Sequence, residues 1–405
     1  MISVRSQRTL LTVNCGASSL KFSLFLIEDS EAPSSTYPTH PLYRGECTRI
    51  GESGELHIHD AEGEVVFEQF TMAVDHEQAL RVVLRWLDEV STDTELALVG
   101  HMIVHGGERY QAPVLLDDEV LAYLDTLVPL APNHLPLNLQ GVRLVRELKP
   151  ELPQVGCFDT AFHATRPAVE RRFALPDTAM LKPVRSYGFH GLSYEYIARE
   201  LPEYLGVTAT GKVIVAHLGY GVSLCALDNR RSVATTMTFT PLDGIPMGTR
   251  SGSIDPAVVL YLLQQGMKPE QISDLLYFQS GMLGVSGISD DLEVLLARSS
   301  SSAEAKFAID LFVHRTVRSI GALAAAMGGF DALVFTAGIG EQAHSIRADI
   351  CRRCEWLGVI LDQEANLVGG PCISRPESRV QAWVIPTDEE RMIAEHSCML
   401  MKQRR

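Results

Sequence analysis

Three glycine-bearing turns in this chain carry the residue types that hold phosphate. The first lies in LLTVNCGASSLKFSLFL (residues 10–26), where two strand-like runs flank a Gly/Ser turn. Small polar residues at a sharp turn can receive phosphate, but no Gly-Lys-Ser/Thr ending and no helix follow, so this is not a P-loop. The second, KVIVAHLGYGVSLCAL (212–227), repeats the pattern, with Ser223 standing where the first copy has its serines. The third, DALVFTAGIGEQAHSI, reads as a buried strand, a tight turn at Gly338 and Gly340, and a helix whose first N–H groups can donate to phosphate. Two hairpins in different halves of a chain could grip one polyphosphate from both sides. Hairpins also occur in any α/β protein; the third turn is what weights the pattern toward phosphate.

The elements that must position these turns alternate. EQALRVVLRWLDEV (77–90) places Ala79, Leu80, Val83, Leu84 and Leu87 on one helical face, and a longer helix is expected over 303–327. Strand-like runs fall at 97–107, 155–159, 331–335 and 380–385, so the expected class is α/β. At 405 residues and 46% hydrophobic, the chain is long enough for two domains with separate cores. Duplicated hairpins suggest duplicated domains.

Composition removes several function classes. The net charge of −15 is spread along the chain, with no basic run except the tail Lys402 to Arg405, so nucleic acid is not an expected partner. No apolar stretch reaches the ~20 residues a membrane helix needs. Arg5 and Arg8 before LLTV imitate a signal peptide, but the apolar part falls short of the usual ~7–15 residues. Of eight cysteines only Cys351 and Cys354 are close together, without a second pair to complete a zinc site. They are expected in a helix as reduced thiols, and the protein is expected in the cytoplasm.

With these residues in view, the chain resembles the acetate kinases of the acetate and sugar kinase/Hsp70/actin superfamily. The resemblance runs through VNCGASSLKFSL, VHGGE, FDTAFH, YGFHGLSYEY, HLGYGVS, TPLDGIPMGTRSGSIDP, FTAGIGE and IPTDEE, in order and nearly end to end. It implies two ribonuclease H-like (actin-like ATPase) domains with an active-site cleft between them. The expected division is 1–160 plus 391–405 against 161–390. It further implies a homodimer, MgATP (Mn²⁺ being an alternative metal), and reversible phosphoryl transfer from ATP to acetate. Such chemistry needs positioning and charge neutralisation more than covalent help. A carboxylate nucleophile, with a pKa near ~4, is already ionised at neutral pH and needs no general base.

The resemblance assigns residue roles at matching positions. Arg250 matches the arginine that stabilises the transition state, and its fork suits a transferring phosphoryl group; read alone it is a loop arginine. His190 matches a transition-state histidine and His217 a histidine at the phosphate hairpin. Asp159 ends an apolar strand, where aspartate commonly caps a turn; the family treats it as an active-site acid, and here it is expected to orient metal-bound water or an arginine. Asn14 and Glu389 match the magnesium residues. TDEE before RMIAEH also reads as a capping box between Thr387 and Glu390, which leaves Glu389 available to the metal. Nucleotide contacts are expected from Lys21, from His217, Leu218, Gly219, Tyr220 and Gly221, from Asp291, Leu292 and Glu293, and from Gly338, Ile339, Gly340, Glu341 and Gln342.

Departures from the family pattern cluster among these positions. Met102 stands where an arginine helps bind the acid; one charge-assisted hydrogen bond is worth roughly 1.5–3 kcal/mol. Val104, Phe189 and Pro241 match the apolar acyl pocket, but Asn133 replaces a leucine, which suggests a more polar or differently shaped acid. Tyr220 and Val222 replace asparagine and serine, Ser253 replaces aspartate, and Glu293 replaces an arginine that could stack on the base. Two alternatives therefore stand beside acetate phosphorylation: another short carboxylic acid or phosphoryl donor, and a nucleotide-binding relative with impaired catalysis.

Overall fold

The structure, a computed structural model, describes residues 7–404 except 17, 28–39, 52, 71–74 and 91–93. Arg5, Ala17 of the first turn and Arg405 of the basic tail lie outside the described residues. The chain divides into two compact units, Met1–Ala161 with Asp388–Arg405, and Phe162–Thr387.

Among its described residues the first unit holds eight strands: β1 (Gln7–Cys15), β2 (Leu20–Ile27), β3 (Pro41–Thr48), β4 (Glu55–Asp60), β5 (Val65–Phe70), β6 (Thr94–Ile103), β7 (Val114–Leu115) and β8 (Gln154–Phe158). They form one sheet in the order β5-β4-β3-β2-β1-β6-β8-β7. β1 is antiparallel to β2, and β2 to β3, while β6 runs parallel to β1 and β8 parallel to β6. A central strand covered on both faces reads as a continuous apolar run. Leu10, Leu11 and Val13 of β1 are accordingly buried. The helix His76–Val90 adds Leu80, Val83 and Leu87 to a core with Phe22, Leu24 and Ile58.

The second unit holds β9 (Lys212–Leu218), β10 (Val222–Asp228), β11 (Arg231–Thr235), β12 (Ala332–Thr336) and β13 (Gln381–Val384), ordered β11-β10-β9-β12-β13. β9, β10 and β11 form an antiparallel meander, and β12 runs parallel to both β9 and β13. This five-strand pattern equals that of β3-β2-β1-β6-β8, so the duplication suggested by the hairpins is a duplication of sheet topology. The helix Gly191–Leu205 packs Tyr194, Ile197 and Leu201 against Val213, Val215 and Val334. The helix Ala303–Met327 has the bounds its periodicity predicts and is closed by Gly328 at φ 70°.

Two local readings are corrected. Gly338 and Gly340 do not form a turn ahead of a helix; they lie inside the short helix Ala337–Gln342. The turn is made instead by Ala337, at φ 64°, whose N–H donates to Glu341 Oε1 at 2.8 Å. Nor do Thr387 and Glu390 form a capping box. Asp388 caps the C-terminal helix Glu389–Gln403 by accepting from Arg391 N at 2.9 Å, a carboxylate being a strong cap.

That C-terminal helix belongs to the first unit because β6 leaves room for it. A Cβ on Gly100 would sit 2.6 Å from Ile393 Cγ2 and 2.5 Å from Ser397 Oγ. Only glycine permits this approach, which brings Glu389 to the end of β1.

Candidate active site

In the first unit, functional side chains collect at the carboxyl ends of the parallel strands β1, β6 and β8, where open α/β sheets bind ligands. Asn14, near the end of β1, donates from Nδ2 to Glu389 Oε2 at 3.2 Å. Asp159 directly follows β8, is 8% exposed, and its N–H donates to Ile103 O at 3.0 Å. Burial, and then the neighbouring Asp159 charge, push the Glu389 carboxyl up to about 8; Lys21 opposes this. Lys21 pairs with Asn14 across the hairpin, and its half-exposed ammonium lies 3.8 Å from Glu46.

Asn138 was not singled out from the sequence, yet it ties this region together. Its Nδ2 donates to Cys15 O at 3.0 Å and its Oδ1 accepts from Val104 N at 2.9 Å, fixing the end of β1 to the segment after β6. An asparagine on the buried face of the helix Leu135–Leu148 was the available signal. Val104 is buried and Met102 half-buried on β6. Asn133 is half-buried, and its Nδ2 atom is buried with no hydrogen-bond partner.

A carboxylate, a second carboxylate and an amide oxygen are hard donors of the type magnesium prefers. Among the described residues no group of three His, Cys, Asp or Glu side chains could hold a metal alone. Magnesium keeps several waters and takes only one or two protein carboxylates alongside phosphate.

The second unit gathers nitrogen donors. His190 precedes the helix Gly191–Leu205 at φ 60°, a conformation rarely adopted outside glycine, and this places its ring against His217. The rings stack with centroids 4.1 Å apart and planes 19° apart. Both Nε2 atoms face the turn between β9 and β10. A Cβ on Gly221 would lie 2.7 Å from His190 Nε2 and 3.9 Å from Arg250 Nη1, and one on Gly219 would lie 3.6 Å from His217 Nε2. Arg250 is 8% exposed, donates from Nη1 to Pro241 O at 2.9 Å, and has its guanidinium carbon 5.9 Å from the Tyr220 ring centroid. Burial lowers its pKa, while Tyr220 and Tyr277 work against that. Ser253 has a bracing role in the same loop: its hydroxyl donates to Asp243 Oδ1 at 2.5 Å and accepts from Gly244 N at 3.0 Å.

Several of the other residues expected at the nucleotide or acid also make local structural contacts. Asp291 caps the helix Leu292–Arg298 by accepting from Glu293 N at 2.8 Å, Leu292 is buried, and the Glu293 side chain is exposed. Arg347, 1% exposed, donates to Gly340 O, Glu341 O and Asn366, locking the segment from Gly338 through Ile339 to Gln342. Phe189 is buried, its carbonyl taken by His163 Nε2 at 2.8 Å, and Leu218 is buried at the end of β9.

Two α/β units of one topology, one offering carboxylate and amide oxygens and the other imidazole and guanidinium donors around a glycine turn, define a phosphotransferase-type protein. A model of the "Acetokinase family" matches residues 9–395, and the chain belongs to that family. It is 47% identical over 404 residues to an acetate kinase of Methylocella silvestris, covering 98% of each chain. Among solved structures it is similar to Porphyromonas gingivalis acetate kinase (36% identity, TM-score 0.82, 97% of this chain and 100% of that one). It is likewise similar to a propionate kinase from Francisella tularensis subsp. tularensis SCHU S4 (32% identity, TM-score 0.86, 97% and 99%). The repeated strand pattern is that of the two-domain actin-like ATPase fold.

Proposed function

We propose that this chain catalyses reversible phosphoryl transfer between ATP and a short carboxylic acid, with acetate the default acceptor, yielding acetyl phosphate and ADP. The observation that carries this reading, within the acetokinase family, is the cluster of His190, His217 and Arg250 donors around the Gly219–Gly221 turn. A carboxylate oxygen attacks the terminal phosphorus as the bond to the ADP oxygen breaks. Charge is conserved and no proton moves, so the residues' work is to orient and to stabilise charge.

In this reading Arg250 and His190 donate to the equatorial oxygens of the transferring group, and His217 donates beside them. Gly219, Tyr220 and Gly221 line the phosphates, and the segment Gly338–Gln342 with Asp291 and Leu292 serves the nucleotide. Val104, Phe189 and Pro241 hold the acyl group. Asn14 and Glu389 hold Mg²⁺, with Asp159 orienting its water; bound there, the metal would neutralise phosphate charge. Mn²⁺ would fit the same oxygen set. Lys21 acts by its charge, which already bears on Glu389.

The protein is read as a cytoplasmic homodimer. Support for the dimer comes from the helix Pro256–Gln264, which is almost wholly apolar yet buries none of its side chains, with Leu260 59% and Tyr261 58% exposed. No helix among the described residues is long and apolar enough to cross a membrane.

A second reading, an acid other than acetate, is favoured by the unpartnered buried Nδ2 of Asn133 together with Met102. Hydroxylamine trapping of acyl phosphate, across short carboxylic acids and phosphoryl donors with Mg²⁺, tests both. Acetylhydroxamate formation supports the first, preference for another acid supports the second, and no product from any pair overturns them.

A further inference from the structure

The stacked histidines are backed by hydroxyl groups that nothing in the proposed chemistry uses. Thr387 Oγ1 donates to Ser193 Oγ at 2.9 Å, and Ser193 Oγ lies 2.8 Å from His217 Nδ1. A hydroxyl has one proton to give. Accepting from Thr387 leaves Ser193 its own proton to give to His217 Nδ1. A ring nitrogen that accepts carries no proton, so in the neutral imidazole the proton sits on Nε2. Thr387 is itself held, since its backbone N–H donates to Glu341 Oε1 at 3.3 Å.

His190 has a matching arrangement. Its Nδ1 is 2.7 Å from Ser223 Oγ, which is 2.5 Å from the Tyr194 hydroxyl. A phenol, with a pKa near ~10, is a far better proton donor than an aliphatic alcohol. This favours Tyr194 as donor to Ser223, which leaves the Ser223 proton for Nδ1. Ser193, Tyr194 and Ser223 are fully buried, so water does not compete for these bonds. Ser223 also pairs directly with His217 across β9 and β10, which brings the two assemblies side by side. Two imidazolium rings stacked at 4.1 Å would repel, which further favours neutral rings.

We propose that two hydroxyl relays, Thr387–Ser193 behind His217 and Tyr194–Ser223 behind His190, fix both imidazoles as Nε2–H tautomers and present them as paired donors to the transferring phosphoryl group. The donor role rests on the phosphoryl-transfer reading above; the tautomers do not. Ser193, Thr387, Ser223 and Tyr194 are positioning residues, acting through the rings. Since Nδ1 is occupied by a donor, neither histidine serves as a general base, in keeping with a nucleophile that arrives ionised.

The test is ¹⁵N magnetic resonance of the full chain labelled at histidine, with His190→Gln and His217→Gln used to assign the two rings. Both are expected to show a protonated Nε2 and an unprotonated Nδ1 at about pH 7.5. A Nδ1–H tautomer or an imidazolium at either ring would overturn the relays. Ser193→Ala is expected to give a tautomer mixture at His217 and to lower kcat about 10-fold, with KM values within about two-fold. Ser193→Thr should restore both, and an unchanged tautomer and kcat in Ser193→Ala would also overturn the idea. Should that variant fail to fold, Thr387→Val reads the same relay, and the unaltered protein's spectrum decides by itself. Correct tautomers without acyl phosphate from any acid would overturn the phosphoryl-transfer reading and keep the relays. A Nδ1–H tautomer in an active enzyme would do the reverse.

Discussion

Asn14 Nδ2 lies 3.2 Å from Glu389 Oε2, a contact between residues 375 positions apart that joins the first hairpin to the C-terminal helix. Burial and then Asp159 make this carboxyl reluctant to ionise.

This pair sets a pH dependence in metal-free protein. The unfolded chain ionises Glu389 near 4.5, whereas the folded chain holds its proton up to about 8. Across that window the folded state binds the extra proton, so stability falls as pH rises. The Glu389→Gln variant should lose up to about 1.4 kcal/mol per pH unit of that slope, measured by urea unfolding in chelator. Its kcat should fall at least about 10-fold with Mg²⁺ present.

Three buried histidines act in the opposite direction. Burial pulls His101 and His105 down to about 4 and His163, aided by Arg166, down to about 3, from an ordinary 6.5. The unfolded chain takes up these protons first, so stability is lost as pH falls below 6.5. Each histidine contributes up to about 1.4 kcal/mol per pH unit. Denaturant midpoints measured from pH 7 down to pH 4.5 should drop steeply, and a flat profile would contradict this.

The glycine turn makes a differential prediction. Gly221→Ala forces its new methyl against His190 Nε2, while the Gly219→Ala methyl meets nothing nearer than Ala337 Cβ at 3.4 Å. Gly221→Ala should cut kcat about 100-fold, the scale of losing one transition-state donor. Gly219→Ala should cost far less, both variants keeping an unchanged circular dichroism spectrum.

At the exposed apolar helix, Leu260→Asp should convert the proposed dimer into a monomer in light scattering without loss of helical signal. A chain that is already monomeric before substitution would remove the case for self-association through this face.

Asn133→Leu removes a buried amide nitrogen that lacks a partner. Stability should rise by about 1 kcal/mol, judged by thermal unfolding. The hydroxamate assay should show preference shifting toward acetate and away from acids bearing a hydrogen-bond acceptor. Met102→Arg gives the companion result: raised acetate turnover marks the methionine as a defect, lowered turnover marks it as adapted to another acid.

Local order in the chain marks the principal strands and helices and the ordered family motifs. Apolar runs mark β1, β8 and β12 as central strands because both their faces are covered, and helical period alone bounds Ala303–Met327. Ordered motifs specify the family and hence the residue types at the site. Three-dimensional packing decided the rest. The Glu46 partner of Lys21 and the backing of His217 by Ser193 and Thr387, the latter two 194 positions apart, have no periodic signature. Such contacts exist only once the chain has closed on itself. Gly100 admits the C-terminal helix onto β6, and a left-handed His190 turns its ring onto His217. Both depend on the space available between packed elements, which a linear order of residues does not express.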